Sequence, residues 1–326
     1  MDIPTQAEDP AGFVHDEEIW FADGNVVLEA KGHVFRIYQG LLAHNSEIFR
    51  DLFTVPQPTS METYEGCPIV HLTDRPEDLR HLLRVIYHGN RYYRPDEQLE
   101  FAAVAALVRL AHKYQIDHVR DAYLWRMKSC FCTELATWEI VTEGPGYGSP
   151  IMKFRLADAI AAVNIARLTG TESMLPSALY LCCRLGTERL LNGCSCPDGT
   201  LESLDPADVI KCIDARHILH QKYINTRFEL YNPIRPSLQC LECRTKVEVI
   251  RQRIMCPRLT TMKFAVDLLL SPFCTRFDIR QTEGRIYICP ECQSVLRMAE
   301  ESLRKETWTE LPQLLGIEVP PGWASE

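Results

Sequence analysis

The chain has 326 residues, 46% of them hydrophobic, and this supplies more apolar material than one small domain needs for its core. Two or three compact units are expected, and the composition argues against disorder over most of the length. The formal net charge of −9 repels phosphate backbones, which makes nucleic acid an unfavourable partner.

The composition of the N-terminal residues does not predict an export signal. Residues 1–9 are acidic and polar, the opposite of the basic, apolar start of a signal peptide. Apolar runs elsewhere are shorter than a membrane span, as at 101–110, where Arg109 interrupts the run. These features predict a soluble protein of the cytoplasm or nucleus with no membrane partner. In that setting the 14 cysteines are expected to be reduced thiols or metal ligands.

The N-terminal third begins with strand signals. Two β-prone runs over 18–30 flank an Asp-Gly-Asn segment at 23–25 and predict a β-hairpin, because these residues tolerate the backbone of a tight turn. A third short strand is predicted at 33–37, and a short helix follows over 41–43. Ser46 is placed to cap a second helix.

Residues 69–72 predict another strand, and helices follow it. Asp74 is predicted to be the N-cap of the next helix, with Glu77 completing a capping box, and Gly89 to end it. A longer helix has apolar residues at helical spacing over 101–114, and a further helix follows. This order predicts an α+β unit rather than a repeating βαβ nucleotide-binding fold.

A strand that leads into a Leu-x-x-x-Ser-x-x-Phe pattern occupies residues 35–49. This run resembles the signature of BTB/POZ domains. The later strand, the leucine-rich helix ending at Tyr87 and the helix that carries 110–114 follow in the order of that family. Tyr38 stands where many members have histidine, at a position that supports packing. The resemblance spans residues 15–129 and implies that they fold as an α+β BTB/POZ domain.

BTB domains pair with each other through their N-terminal strand and first helix, so the resemblance implies protein partners and self-association. The residues that it places at the dimer surface are Ile19, Trp20, Phe21, Leu41, Leu42 and Phe49. Leu42 and Phe49 are equally suited to the core of the domain. A protein–protein interaction scaffold or adaptor is therefore the leading functional expectation.

Many BTB proteins also hold a cullin-type ubiquitin ligase while a second domain recruits the substrate, and the resemblance raises that function here. Cullin-binding members commonly carry a hydrophobic-x-Glu motif before the later strand. In this chain Ser60 precedes Glu62 and Thr63 precedes Glu65 at that spacing, so the motif is missing. Its absence argues against cullin recruitment, whereas dimerisation does not depend on it.

Five further segments are predicted outside the BTB-like stretch. Residues 1–14 form an N-terminal tail, and a Gly- and Pro-rich composition predicts a linker over 130–150. Apolar residues at helical spacing over 151–235 predict a mostly α-helical region, similar to the BACK region that often follows BTB domains. A small cysteine-rich segment at 236–300 and a packed tail at 301–326 complete the organisation, which is similar to that of a family of fungal BTB proteins.

Two Cys-x-x-Cys pairs are the sharpest chemical signal of the C-terminal third, and they consist of Cys240, Cys243, Cys289 and Cys292. Each pair presents two thiolates from one turn, and two such turns supply the four tetrahedral ligands that a structural zinc ion prefers. Zinc is therefore the candidate cofactor.

The stretch between the two pairs is longer than in compact zinc ribbons, and Cys256 and Cys274 within it are alternative ligands. The competing interpretation is that these cysteines are buried thiols that pack as small hydrophobic side chains. A RING-like ligase is disfavoured, because it needs more ligands than the six cysteines of this region supply.

The sequence predicts a protein that is not an enzyme. It contains no nucleotide-binding glycine loop, no nucleophile elbow and no zinc-protease histidine motif. A nuclear transcriptional regulator with a zinc-stabilised C-terminal region is the alternative function. A modest basic run between Arg244 and Arg258 supports it, but such a run is more often a solvated face.

Overall fold

The computed structural model describes residues 12–54, 62–89, 93–143, 146–195, 199–234, 238–254, 269 and 288–324. The chain divides into two compact units. The first comprises Met1–Met127 with Pro150–Met152, and the second comprises Lys128–Ser149 with Lys153–Glu326. The first unit contains a mixed sheet with helices and the second is mostly helical, which confirms the predicted fold class.

The first unit is built on a five-stranded sheet. Its strands are β1 (Val14–Trp20), β2 (Val26–Ala30), β3 (His33–Ile37), β4 (Thr63–Tyr64) and β5 (Cys67–Leu72), in the spatial order β1-β3-β2-β5-β4. Strand β2 runs antiparallel to β3 and parallel to β5, whereas β1 lies parallel to β3. The sheet is therefore mixed, with β1 and β4 as its edges.

The hairpin predicted over 18–30 is wrong, because β1 pairs with β3 and not with β2. The hairpin lies one step later, between β2 and β3, with Ala30 opposite His33. Its two turn residues, Lys31 and Gly32, have positive φ angles of 49° and 83°. Two such residues form the tight turn whose twist matches that of the flanking strands.

Gly24 lies where the connection after β1 crosses the end of β3. A Cβ atom at this position would lie 2.9 Å from Cγ of Arg36 and 3.0 Å from the backbone nitrogen of Ile37. The carbonyl of Gly24 accepts hydrogen bonds from Arg36 Nε at 2.9 Å and from the Cys67 thiol at 3.3 Å. The Asp-Gly-Asn segment therefore does adopt a tight backbone, as predicted, but this backbone lies against the end of β3 and does not form a hairpin turn.

Strand β1 is interrupted by a bulge, and a buried carboxylate holds that bulge. Asp16 is 2% exposed and accepts hydrogen bonds from the backbone N–H groups of Ile19 at 2.7 Å and Glu18 at 3.0 Å. Its second oxygen accepts from Arg80 Nε at 2.6 Å and lies 3.1 Å from His33 Nε2. Burial opposes the charge, but these hydrogen bonds outweigh it and hold the pKa of Asp16 below its ordinary value.

Replacing Asp16 with asparagine is expected to lower the free energy of unfolding by about 2 kcal/mol near neutral pH, because the half-buried Arg80 loses its counter-charge. Since the folded pKa is below the ordinary value of 3.8, the charge stabilises the fold above that value. Its contribution is lost as the pH falls through the lowered folded pKa. Denaturant unfolding of both proteins should therefore give a difference that is constant near neutral pH and shrinks in acid.

The control is Asp96→Asn, which changes an exposed carboxylate of the same unit. It is expected to leave the free energy of unfolding nearly unchanged at every pH. A difference between wild type and Asp16→Asn that does not vary with pH would contradict a charge-based role for Asp16.

Two short helices follow β3, namely α1 (Gln39–Asn45) and α2 (Glu47–Thr54). The predicted cap is confirmed, because the Ser46 hydroxyl accepts a hydrogen bond from the backbone N–H of Phe49 at 3.1 Å. The same hydroxyl donates to the carbonyl of Tyr114 at 2.6 Å, and the Tyr114 ring stacks on Phe49 with centroids 4.3 Å apart. One serine thus caps α2 and fixes it to a segment far along the chain.

Helix α3 spans Pro76–His88, and its predicted N-cap is wrong. The N-cap is Arg75, which makes no capping hydrogen bond with its side chain. Proline at the first helical position has no N–H to satisfy and a φ angle suited to a helix, so α3 starts without a side-chain cap. Asp74 instead accepts a hydrogen bond from Lys113 Nζ at 2.6 Å.

Gly89 ends α3 as predicted. Strand β6 (Leu99–Glu100), helix α4 (Phe101–Lys113) and helix α5 (Asp117–Lys128) complete this part of the chain. The main core lies between the sheet and helices α3 and α4, and its fully buried side chains include Leu28, Phe35, Ile37, Leu79, Leu82, Leu83, Val104, Leu107 and Val108. Val27 and Val34 belong to a separate, smaller cluster with Tyr64 and Cys67.

The stretch predicted to be a linker over 130–150 contains regular structure. Helix α6 spans Leu135–Thr142, and strand β7 spans Tyr147–Ser149. Trp138 in α6 is fully buried, and its indole N–H donates to the carbonyl of Leu269 at 3.1 Å. The Gly and Pro residues that suggested a linker begin at Gly144, after α6, and burial of the large Trp138 side chain stabilises this helix in the second unit.

Between α6 and the cysteine-rich segment the chain is mostly helical, as predicted. Its elements are β8 (Met152–Phe154), α7 (Ala159–Thr169), α8 (Leu175–Cys183), α9 (Thr187–Asn192), β9 (Cys194–Ser195), β10 (Leu201–Glu202) and α10 (Pro206–Leu230). Every residue of α8 is buried, so this helix lies at the centre of the second unit. Its likeness to a BACK region stays a prediction.

Two long helices close the described chain, α11 (Leu241–Ile254) and α12 (Pro290–Leu314). Helix α12 runs through residue 300, so the cysteine-rich segment and the tail are not separated where the sequence placed a boundary. Near its end Trp308 is buried and stacks on Trp323 with centroids 4.7 Å apart. The indole N–H of Trp323 donates to the carbonyl of Trp308 at 3.0 Å.

Candidate metal centre and interaction surface

Each Cys-x-x-Cys pair lies at the N-terminus of a helix. Cys289 is the N-cap of α12, and its carbonyl accepts a hydrogen bond from the backbone N–H of Gln293 at 2.9 Å. Cys240 has the same place at α11, where its carbonyl accepts from the backbone N–H of Arg244 at 3.0 Å. The second cysteine of each pair falls three residues later, on the same face of its helix.

The structure brings the two pairs together. The Sγ atoms of Cys240, Cys243, Cys289 and Cys292 all lie within 4.8 Å of one another. Four sulfurs bound to one zinc ion at about 2.3 Å are about 3.8 Å apart, so the cluster has the size that a single ion requires. All four predicted ligands are therefore in one place. The two alternative ligands, Cys256 and Cys274, lie outside the described residues.

The thiols of Cys240, Cys243 and Cys289 differ in acidity. The backbone N–H of Cys243 lowers the pKa of the Cys240 thiol, as expected at a helix N-terminus. Burial raises the pKa of the Cys243 thiol. At Cys289 the backbone N–H of Cys292 lowers the pKa, but desolvation and the neighbouring thiols outweigh it and raise the pKa to about 12. A bound cation would lower the pKa of all the thiols that ligate it, because it attracts thiolates and displaces their protons.

Apolar side chains pack around the cluster, and they are Leu230, Tyr231, Leu238, Val247, Ile250, Ile288, Leu296 and Leu303. Cys243 and Cys292 are buried, whereas Cys240 and Cys289 are half-buried. Four protein sulfurs around one point leave no open position for a substrate. The geometry therefore suits a structural metal ion rather than a catalytic one.

The basic residues beside the first pair contact groups of their own chain. Arg244 Nε donates to the carbonyl of Leu238 at 2.5 Å, and Lys246 Nζ lies 2.6 Å from a carboxylate oxygen of Glu242. These contacts favour the solvated-face interpretation of the basic run. Its last member, Arg258, lies outside the described residues.

Three of the six residues predicted at the dimer surface are buried within the first unit. They are Ile19, Leu42 and Phe49, each 0% exposed. A side chain that packs inside its own domain offers no surface to a partner. We therefore reassign these three residues from the interface to the core.

Trp20 and Phe21 are half-buried on the surface of the first unit. Trp20 stacks on the ring of His15 with centroids 4.0 Å apart, and Phe21 stacks on Tyr38 with centroids 4.9 Å apart. These contacts hold both rings in place while part of each stays exposed to solvent.

Leu41 is 38% exposed on α1, and two exposed residues of the neighbouring α2 were missed by the sequence reasoning. Ile48 is 37% exposed and Leu52 is 36% exposed, and they lie one helical turn apart. We call Leu41, Ile48 and Leu52 the α1–α2 apolar face. The spacing of apolar residues indicated the helix, but only the inward packing of Phe49 shows which side of α2 meets solvent.

A cavity beside β1 is lined largely by charged residues. Within it Arg80 is bonded to Asp16, and Arg84 lies 2.5 Å from a carboxylate oxygen of Glu18. These charges neutralise each other, so the network holds β1 against α3 and does not present an acid, a base and a nucleophile to a substrate. Among the described helices, none is long and apolar enough to cross a membrane.

Comparison with models of protein families matches residues 21–128 to the BTB/POZ domain. The matched range contains β2 to β6 and α1 to α5, in the order that the structure shows. A search of curated proteins found no match, so the likeness to a fungal family stays a prediction. The family match and the observed order of strands and helices agree, and this chain is a BTB/POZ domain-containing protein.

Proposed function

We propose that this chain is a protein–protein interaction scaffold or adaptor that self-associates through its BTB/POZ domain. The observation that carries the proposal is the BTB/POZ domain at residues 21–128, because domains of this family are interaction modules. The α1–α2 apolar face supports it, since apolar side chains that stay exposed on adjoining helices favour contact with a partner over contact with water.

A second copy of the chain is the partner that this face suits. Charged side chains of both signs, Glu47, Arg50 and Asp51, are exposed on α2 beside the apolar residues. In a twofold-symmetric contact a patch meets its own copy, so a patch that carries both signs can pair with itself. An apolar centre with a charged rim is the usual build of such an interface.

The edge of β1 suits a second copy less well. Within the described residues β1 is an outer strand of the sheet, and it exposes Glu17, whereas Glu18 is paired with Arg84. Like charges on an edge strand oppose its pairing with an identical strand. We therefore centre the proposed dimer contact on the α1–α2 apolar face.

Replacing Leu41 with glutamate is expected to weaken self-association about 30-fold, because a central interface residue contributes about 2 kcal/mol and a charge cannot be buried there. The measurement is analytical ultracentrifugation over a range of concentrations. Leu168→Glu is the matched control, since Leu168 is a 49% exposed leucine of α7, outside the BTB/POZ domain. Equal dissociation constants for the two variants, or a wild-type monomer at every concentration, would refute the proposed contact.

Cullin recruitment is not part of this proposal. Thr63, at the start of β4, is the polar residue two positions before Glu65, and Ser60 lies outside the described residues. The transcriptional alternative also lacks a specific observation in its favour, because Arg244 and Lys246 contact groups of their own chain.

We further propose that the four cysteines hold one structural zinc ion. A zinc ion with four thiolates carries a net negative charge, and the N-termini of α11 and α12 both meet the cluster, where their N–H groups favour such a charge. When bound, zinc supplies a fixed tetrahedral centre that ties α11 to α12. Elemental analysis of the purified chain is expected to give one zinc per chain.

A further inference from the structure

Two of the four cysteines make direct contact across the two helices. The Sγ atoms of Cys243 in α11 and Cys289 at the start of α12 are 3.6 Å apart. The backbone N–H of Cys289 also donates to Cys243 Sγ, with 3.4 Å between nitrogen and sulfur. A disulfide bond is about 2.0 Å long, so modest side-chain rotation would bring these sulfurs within bonding distance.

The two members of this pair differ in access to solvent. Cys289 is half-buried, whereas Cys243 is 2% exposed and packs among the apolar side chains between the helices. Of these two thiols, a small oxidant that arrives from solvent therefore reaches Cys289 before Cys243. Cys243 Sγ, 3.6 Å away on the other helix, is placed to attack whatever forms on Cys289.

We propose that Cys243 and Cys289 form a reversible disulfide when the protein meets a peroxide. The Cys289 sulfur attacks one peroxide oxygen, the O–O bond breaks, the thiol proton passes to the departing oxygen, and a sulfenic acid and water form. The Cys243 sulfur then attacks the sulfenic sulfur; its proton leaves with the displaced hydroxyl as water, and the S–S bond forms. Two electrons pass from the two sulfurs to the peroxide, and two external thiols return them by disulfide exchange and become a disulfide themselves.

This disulfide would replace the zinc ion as the link between α11 and α12. Once Cys243 and Cys289 are bonded to each other, only two thiolates remain, and two thiolates cannot complete a tetrahedral zinc site. The metal is therefore released, and this release is the one step of the inference that rests on the proposed zinc site. A bond within one pair, such as Cys240 to Cys243, would leave α11 and α12 without a covalent link. The bond from Cys243 to Cys289 keeps them joined, and the apolar core between them stays covered.

The protein's own sequence allows the bond to be assigned without any variant. Trypsin releases residues 228–244 and 286–297 as separate peptides, because Pro236 blocks cleavage after Arg235. Glu242 and Glu291 lie inside the two pairs, so a glutamate-specific protease then separates the cysteines of each pair. Mass spectrometry of the peroxide-treated full chain is expected to find the Cys243 fragment joined to the Cys289 fragment.

Serine variants provide a matched set, because each removes one ligand from the same cluster. The cross-link is expected to be lost in Cys243→Ser and Cys289→Ser and to persist in Cys240→Ser. Bonds within a pair, bonds to Cys256 or Cys274, or sulfinic and sulfonic acids in place of a disulfide would each overturn the proposal.

Metal release is measured in the same samples with a colour-forming chelator. One zinc ion released for each disulfide formed supports both the zinc site and the disulfide. A cross-link in protein that contains no zinc would sink the zinc proposal and leave the disulfide standing. Zinc that stays bound without a cross-link would refute the disulfide and support the zinc site. Failure of one proposal is therefore distinguishable from failure of the other.

Discussion

Replacing Cys292 with alanine is expected to remove the metal and to lower the free energy of unfolding of the second unit by about 4 kcal/mol. This is the stabilisation given by an ion present at about 1,000 times its dissociation constant, and it is lost when one of four ligands is removed. Cys292 is buried at the start of α12, beside the core that α12 forms with α11. The metal holds these helix ends together only while all four sulfurs converge on it.

The matched control is Cys182→Ala, because Cys182 is a fully buried cysteine of α8 outside the cluster. Both substitutions remove one buried sulfur, and this loss alone is expected to cost about 1 kcal/mol. The measurements are zinc content by elemental analysis and thermal unfolding with and without a chelator. If Cys292→Ala keeps one metal ion per chain, or is no less stable than Cys182→Ala, the four cysteines do not form a metal centre.

Replacing Trp308 with alanine is expected to cost about 4 kcal/mol of unfolding free energy, because it leaves a large cavity in a core of aromatic rings. Trp308 is 2% exposed, and its ring lies between Trp323 and Trp138, with centroids 4.7 Å and 5.5 Å away. Its indole N–H also donates to the carbonyl of Thr133 at 2.8 Å. The Thr133 carbonyl also accepts from the backbone N–H of Ala324 at 3.1 Å, so the cavity accounts for most of the expected cost.

Trp125→Ala provides the same chemical change at an exposed position, since Trp125 is 61% exposed on α5. It is expected to change the free energy of unfolding by less than about 0.5 kcal/mol. Denaturant unfolding followed by far-ultraviolet circular dichroism compares the two variants with wild type. Similar midpoints for Trp308→Ala and wild type would show that the last turns of α12 do not stabilise the second unit.

The BTB/POZ domain was predictable because its signals are local and mutually consistent. The Ser46 cap, the apolar spacing of α3 and α4, and the strand before α1 each depend on a few neighbouring residues. Agreement among independent local signals in one order is strong evidence for a fold. The predicted hairpin between β1 and β2 was wrong because strand pairing joins distant segments. A turn signal at 23–25 does not specify which strand pairs with which.

The metal ligands were also predictable in kind, because a Cys-x-x-Cys pair is a local pattern with a defined chemistry. Their convergence was not, since the long stretch between Cys243 and Cys289 gives no local information about which helix ends meet. The structure decides this through the apolar packing of α11 against α12, which brings two helix N-termini to one point.

The sequence by itself determined the α+β domain, the helical character of the region after that domain and the residue types of the candidate metal centre. All of these features depend on the spacing of residues that are close in sequence. That spacing alone specifies the period of a helix and the turn between two cysteines. Only the tertiary structure decided that Ile19, Leu42 and Phe49 are core, that Ile48 and Leu52 are exposed, and that residues 135–142 form a helix around buried Trp138. The reason is that burial depends on which distant segment packs against a residue, and no local pattern contains that information.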